Sequence, residues 1–462
     1  MQYVSTRGGA PILDFAGVVL SGLADDGGLY VPQTWPTLSA DELRSLQGRS
    51  YAEVAQRVVQ PFAGDSLDAA TLAALIKDAY AGFDHAAVTP LRQIDRETWL
   101  LELFHGPTLA FKDCALQLLG RLMDHFLARE QRSLTVVAAT SGDTGSAAIE
   151  ACRDSAAIDI FVFHPKGRIS EVQRRQMTTV MSENVHNIAI EGTFDDCQAL
   201  VKQLFADDEF RTEMSLGAVN SINWARIVAQ IVYYVAAGLA LDAPVRRVAF
   251  SVPTGNFGDV YAGYCAARIG LPVDQLIVAT NSNDILARFF DHGEYTPAEV
   301  TATMSPSMDI QVASNFERLL FDMYDRDTEA VTARMGALGQ AGTFSVGRDR
   351  IADKAGLFAA HCVDEEATLE AIRDISARAG IVVDPHTAVG IAAGRAARQP
   401  SDVPLVCLAT AHPAKFPDAI ERALGTPLPD EPKIAELFKR EERYAVLAND
   451  PVIVKGYVRD RL

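Results

Sequence analysis

The stretch "LTVVAATSGDTGSAAIEACRD" (134–154) passes from an apolar, β-branched run through a loop with two glycines into a segment of helical character. The first seven residues read as a strand buried on both faces, because no polar residue alternates with the apolar ones. A buried strand that runs through a short loop into a helix is the repeating unit of a parallel sheet covered by helices. The same order recurs from about residue 97 onward. "TWLLELF" (98–104) leads through "HGPT" into a helix from about Ala110, and "DIFVFHP" (159–165) precedes "SEVQRRQMTTV" (170–180). "VHNIAIEG" (185–192) precedes "FDDCQALVKQLFAD" (194–207), and "RRVAFSVP" (246–253) leads through "TGNFGD" into "VYAGYCAARIG" (260–270). "QLIVATN" (275–281) and "VPLVCLAT" (403–410) are later buried strands. The reading is an α/β protein with parallel sheets flanked by helices.

Upstream the texture differs. "SADELRSLQGRSYAEVAQRVVQPFAG" (39–64) and "DAATLAALIKDAYAGF" (68–83) carry apolar residues at helical spacing, with Ser39 and Asp68 placed to cap helices. We assign 1–96 to an N-terminal domain, 97–130 with 221–462 to a large domain, and 131–220 to a small mobile one. The polar stretch 325–350 reads as a surface insertion.

With 462 residues the chain is too long for one ordinary core, and 48% hydrophobic with 22% charged residues is the composition of a globular protein. Its net charge of −18 excludes nucleic acid and anionic membranes as expected partners. An anionic substrate would therefore need a local basic site. The six cysteines form no C-x-x-C pair, the nine histidines have no H-E-x-x-H spacing, and no metal site is expected. No apolar run reaches membrane-spanning length and the first residues lack a basic, then apolar, leader pattern, so a reduced, cytoplasmic protein is expected.

Ligands of open parallel sheets bind at the carboxyl ends of the strands. Three loops fall there: "HGPTLAFK" (105–112), "TSGDTG" (140–145) and "PTGNFGD" (253–259). In the third, Gly255 and Gly258 let backbone N–H groups approach a phosphate at a helix start. The spacing is neither G-x-G-x-x-G nor G-x-x-x-x-G-K-[ST], so dinucleotide and nucleoside-triphosphate binding are not indicated. The second loop either caps its helix or holds a carboxylate. Lys112, directly after Leu109, Ala110 and Phe111, either extends its charge to the surface or serves as an amine of lowered pKa. A desolvated lysine together with a phosphate cradle is what pyridoxal phosphate requires. No G-x-S-x-G elbow competes with that reading.

The segments "STRGG", "ADDGGLYVP", "FHGPTLAFKD", "TSGDTGSAA", "HPKGRISEVQRRQM", "NSINWARI", "PTGNFGDV", "MDIQVASNFERLLF", "VVDPHTAVG" and "LATAHPAKFP", in this order, resemble the threonine synthase family. The likeness is to its longer bacterial and fungal branch. It implies the fold type II of pyridoxal-phosphate enzymes, similar to the tryptophan synthase β subunit, with an extra N-terminal domain. It implies a carbon–oxygen lyase that converts O-phospho-L-homoserine and water to L-threonine and phosphate, the last step of threonine biosynthesis. Position by position, Lys112 resembles the lysine that carries the cofactor. Gly255, Asn256, Phe257 and Gly258, with Asp259 beside them, resemble the loop for the cofactor phosphate. Asp143 stands where many fold type II enzymes have an asparagine near the phenolic oxygen, and Thr410 resembles the hydroxyl partner of the pyridine nitrogen. Ser141, Gly142 and Thr144 are expected at the substrate carboxylate, and Arg226, Asn220 and Ser221 at the substrate phosphate. The alternatives are a threonine or serine dehydratase-like lyase and a binding paralogue without activity, which retention of Lys112 opposes. Neither a monomer nor a larger assembly is excluded by the sequence.

Overall fold

The computed structural model describes residues 1–140, 142–399 and 402–462, and among these the chain builds two large sheets. The first has six strands in the order Phe358–Cys362, Val273–Thr280, Val248–Pro253, Leu405–Ala409, Thr98–Glu102 and Leu91–Gln93. All neighbours are parallel except the last pair. The second has five parallel strands, ordered Ala445–Ala448, Val185–Glu191, Ile158–Pro165, Leu134–Ala139 and Leu216–Gly217. Continuous apolar runs become the central strands, as a sheet shielded on both faces demands: every residue of Val248–Pro253 and of Leu405–Ala409 is buried. The mixed α/β class with parallel sheets is the one predicted.

The N-terminal helices form for the reasons the sequence shows. Ser39 and Glu42 close a capping box ahead of Ala40–Leu46, and Asp68 accepts from Ala70 and Thr71 at the start of Ala69–Tyr80. What the pattern did not reveal is their neighbour. The helix Trp224–Ala240 is apolar nearly all round and buried along almost its whole length, which marks an internal helix. Tyr3 and Phe62 meet the Trp224 ring at 6.0 Å each, so the first ninety residues share one core with this helix. The boundary at residue 96 is therefore not a break in packing.

The other correction lies at the far end. The strand Ala445–Ala448 pairs with Val185–Glu191, and the helix Pro451–Arg459 buries Val454 and Val458 in the second sheet's core. The stretch 221–462 thus does not belong wholly to the large unit. A four-residue edge strand is too short to announce which sheet it will join. The polar stretch 325–350 lies outside: of its helix Thr328–Ala341 only Val331 is buried. Among the described residues no helix is long and apolar enough to cross a membrane.

Candidate active site

The three loops predicted to converge do so around Lys112. Lys112 opens the helix Lys112–Glu130, and its side chain is 9% exposed. The loop before it is pinned at both ends. Asp113 accepts from the Thr108 N–H and hydroxyl, each at 2.8 Å, and the Phe111 N–H donates to the Thr410 carbonyl at 2.8 Å. Leu109 sits in the left-handed region at φ 60°, a conformation that costs a non-glycine residue about 1–2 kcal/mol and is kept only where the surroundings enforce it. Burial pushes the Asp113 carboxyl up to about 6 despite its two bonds to Thr108.

Lys112 Nζ stands 3.6 Å from Asp143 Oδ2 and 4.7 Å from the Phe111 ring centroid. Burial lowers its pKa; Asp143 opposes that, while Lys415 and Arg226 add to it, and the net result is a lowering. Asp143 begins the helix Asp143–Cys152. Its Oδ1 accepts from Lys415 Nζ at 2.8 Å and Gln173 Nε2 at 2.9 Å. Burial would raise this carboxyl, but Lys415 and Lys112 outweigh it and hold it well below the usual carboxylate range. Neither Lys415 nor Gln173 was singled out from sequence. Lys415 carries the same signal as Lys112, a lysine just past a buried strand, but its short turn reads as surface.

Gly142 has φ 140°, and a Cβ there would collide with Gln173, so the loop needs glycine. The Gly142 and Gly145 N–H groups both donate to Thr140 Oγ1, at 2.9 and 2.8 Å. The Gly142 N–H is thus already engaged. Thr144, half-buried in the first helical turn, has no hydroxyl partner among the described residues. Ser141 lies outside them.

The loop after Val248–Pro253 approaches a second segment closely: a Cβ on Gly255 would lie 2.6 Å from the Ser307 carbonyl oxygen. The left-handed residue here is Phe257, at φ 63°, and not either flanking glycine. Its ring is fully buried edge-on to Phe316, 5.3 Å between centroids, which offsets the strain. Gly258 opens the helix Gly258–Arg268. Asn256 Oδ1 accepts from Ser314 at 3.2 Å, and Ser314 lies 3.5 Å from the Ser221 hydroxyl, so this loop and the one before Arg226 are neighbours. Asp259, predicted beside the cofactor phosphate loop, turns one carboxylate oxygen to the core tyrosines. Its Oδ1 is taken by Tyr233 at 2.5 Å and Tyr234 at 2.8 Å, and burial raises it to about 6. Its Oδ2 is buried and has no partner among the described residues.

Arg226 lies in the first turn of Trp224–Ala240, capped by Asn223. It is buried, its Nη1 donates to the Val219 carbonyl at 3.2 Å, and its Nε has no partner. No carboxylate pairs with it among the described residues. Burial alone brings its pKa down to about 10. Asn220 is exposed, with Oδ1 accepting from the Ile222 N–H at 3.3 Å. Thr410 is buried, and its N–H donates to the Thr387 hydroxyl at 3.2 Å, which in turn bonds Asp384. Asp384 also holds His386 Nδ1 at 2.7 Å, while His386 Nε2 accepts from the Ser307 N–H at 3.3 Å. Asp384 therefore braces both the Thr410 strand end and the segment against Gly255, a connection the sequence did not reveal.

Three family models match successive parts of the chain: threonine synthase N terminus over 2–80, pyridoxal-phosphate dependent enzyme over 83–338, and threonine synthase C-terminal over 387–458. The threonine synthase of Pseudomonas aeruginosa is 53% identical over 459 residues, covering 99% of this chain and 98% of that protein. The chain belongs to the threonine synthase family. A solved threonine synthase from Brucella melitensis, described as bound to pyridoxal phosphate, superposes with a TM-score of 0.97 at 50% identity, covering 100% of this chain and 99% of that one. The yeast threonine synthase gives 0.94 at 39%, covering 100% and 98%.

Pyridoxal phosphate is the cofactor, and the residues present fit it. Lys112 and Lys415 flank one strongly ionised carboxylate, Asp143, and the buried Arg226 acts on Lys112. The buried Arg226, whose Nε has no partner among the described residues, is complementary to a phosphate group. The backbone close to Gly255 leaves no room for a side chain, as a phosphate cradle requires.

Proposed function

We propose that the chain converts O-phospho-L-homoserine and water to L-threonine and phosphate, with Lys112 as the catalytic amine and Arg226 as the anchor of the substrate phosphate. The observation that carries this reading is Arg226, a buried guanidinium near Lys112 with no carboxylate to neutralise it among the described residues. Such a cation is retained at a cost, and an anionic ligand offsets that cost. Bound pyridoxal phosphate supplies the electron sink that makes the substrate hydrogens acidic.

In this reading Lys112 Nζ takes the proton from the substrate Cα, a second proton leaves Cβ as the Cγ–O bond breaks, Cγ gains a proton, and Lys112 returns one to Cα after water has added at Cβ. Its lowered pKa suits both directions of transfer. Arg226 holds the phosphate on Cγ and takes up charge as the C–O bond breaks, with the Ser221 hydroxyl and the free amide of Asn220 alongside. The loop of Ser141, Gly142 and Thr144 receives the α-carboxylate, after the Gly142 N–H has turned from Thr140. Gly255, Asn256, Phe257 and Gly258 cradle the cofactor phosphate, and Thr410 offers an uncharged partner to the ring nitrogen. Water adds at Cβ late, so early exclusion of water matters. The second sheet, 131–220 joined by 445–459, is the unit that closes over the site.

The test is stoichiometry. Holoenzyme given O-phospho-L-homoserine should release phosphate and form threonine in equal amounts. A dehydratase would instead yield a 2-oxoacid and ammonia from threonine or serine without releasing phosphate, and that outcome would replace the present reading.

A further inference from the structure

Lys415 is a second lysine in the interior, and the chemistry assigned to Lys112 does not use it. Its side chain is fully shielded from solvent, in the turn Pro413–Lys415 after the strand Leu405–Ala409. Taking an ammonium out of water is costly unless it is paired and hydrogen-bonded. Lys415 is both: Nζ donates at 2.8 Å to Asp143 Oδ1 and at 2.8 Å to the Thr108 carbonyl. These partners come from different places. Asp143 follows a strand of the second sheet, and Thr108 lies in the loop that leads to Lys112. Gln173 and Gln176 double the link, donating at 2.9 Å each to the same Asp143 oxygen and the same Thr108 carbonyl.

Asp143 divides its oxygens unequally. Oδ1 is committed to Lys415 and Gln173, and Oδ2 stands 3.6 Å from Lys112 Nζ. Without Lys415 the carboxylate would have Lys112 as its cation partner and would favour the ammonium form there. With Lys415 the charge of Asp143 is already answered. The charged groups acting on Lys112 are Asp143, Lys415, Arg226 and, from the helix Gly258–Arg268, Asp259. Of the two cations, only Lys415 also neutralises the carboxylate.

We propose that Lys415 is a positioning residue: it claims the Asp143 carboxylate and ties it to the Thr108 carbonyl, so that Lys112 stands beside a neutralised anion instead of in an ion pair of its own. This rests on Lys112 being the amine that holds the cofactor, which has a separate test. Borohydride reduction of the holoenzyme and peptide mapping should mark Lys112, and a mark on Lys415 would reverse the two roles.

Lys415 itself is tested by titrating the visible absorption of the bound cofactor with pH, which reports protonation of the nitrogen joining it to the lysine. The proteins are the parent, Lys415→Met, Lys415→Arg, Asp143→Asn and the double variant Lys415→Met/Asp143→Asn. A charge within about 4–6 Å moves a pKa by about one to three units. Lys415→Met should raise the midpoint by about one unit or more, and Asp143→Asn should lower it. Lys415→Arg should hold the midpoint, and the double variant should return close to the parent. A residue that only filled space would change cofactor affinity or Tm and leave the midpoint alone. Should Lys415→Met fail to fold because it strands a buried carboxylate, the double variant is compared with Asp143→Asn, and its midpoint must be the higher. Equal midpoints in that pair, or a Lys415→Met midpoint at or below the parent's, overturn the proposal.

Discussion

Arg226 offers a test in which function and stability move in opposite directions. Burial brings its pKa from 12.5 to about 10, and one unit corresponds to about 1.4 kcal/mol, so the ligand-free protein carries roughly 3 kcal/mol for keeping this charge inside. Arg226→Met removes that cost and preserves most of the aliphatic volume. It also removes the donor to the Val219 carbonyl at 3.2 Å, worth about 1 kcal/mol. The net gain is about 2 kcal/mol. At about 2.1 cal/mol/K per residue, 462 residues give an unfolding entropy of about 1 kcal/mol/K, so Tm should rise by about 2 °C. The KM for O-phospho-L-homoserine should rise about ten- to a hundredfold, the equivalent of a charge-assisted contact worth about 1.5–3 kcal/mol. Thermal scans of the holoenzyme with and without inorganic phosphate separate the two effects. The parent should gain up to about 2.7 kcal/mol when phosphate reaches a hundred times its dissociation constant, and the variant should gain little. A variant that melts several degrees lower, keeps its phosphate response and has an unchanged KM would refute the reasoning. Loss of the cofactor with normal substrate affinity would move Arg226 to the cofactor phosphate.

Three further outcomes follow from named contacts. Lys112→Ala should retain some cofactor through the phosphate loop yet yield no borohydride-stable label, measured by mass spectrometry after reduction. Gly255→Ala places a Cβ 2.6 Å from a backbone oxygen, whereas Gly258→Ala meets side chains alone, first Asn315 at 3.2 Å. The first should weaken cofactor binding and cost about 1–3 kcal/mol, and the second should be milder, as judged by cofactor release and Tm. For Asp259, burial raises the folded-state pKa from 3.8 to about 6, so the folded protein binds this proton more tightly than the unfolded chain. The resulting penalty is absent below pH 4, grows as pH rises through 6 and reaches about 3 kcal/mol, so Asp259→Asn should raise Tm at pH 7.5 and lose that advantage near pH 4. Equal destabilisation at both pH values would show that the carboxylate is needed by its tyrosines.

The fold was legible because a parallel sheet buried on both faces leaves a plain mark: continuous apolar runs such as "LTVVAA" and "RRVAFSVP", each followed by a glycine-bearing loop. The strands that escaped notice are the short or exposed ones. Phe358–Cys362 contains no fully buried residue, and Ala445–Ala448 alternates between half-buried and exposed, so neither carries that mark. The N-terminal helices showed an apolar face, but a face does not name its partner, and Trp224 lies far away in sequence. Within the site, Lys112 stood out as a charge in apolar surroundings. Phe257 misled in the other direction. In "GNFG" the glycines read as the natural holders of an unusual backbone, yet the phenylalanine takes it, because its buried ring contributes more than the strain costs.

What the sequence could not convey is how charge is partitioned between surface and interior. A chain of net charge −18 repels an anion at long range, but at physiological salt that field decays over about 8 Å. Inside the site cations gather: Lys112 and Lys415 flank the strongly ionised carboxylate of Asp143, and Arg226 lies near Lys112. Two other buried carboxyls, Asp113 and Asp259, have raised pKa values near 6 and are held by hydroxyl groups, Thr108 for one and two tyrosines for the other. Hydroxyl donors serve these carboxyls without adding positive charge. Asp143 differs because its partner is a lysine, and that choice binds one cation firmly while leaving Lys112 and Arg226 to the ligands. An Asn at position 143 would hand a third unpaired cation to the interior, so Lys415 and Asp143 are best understood as a pair, each present because the other is.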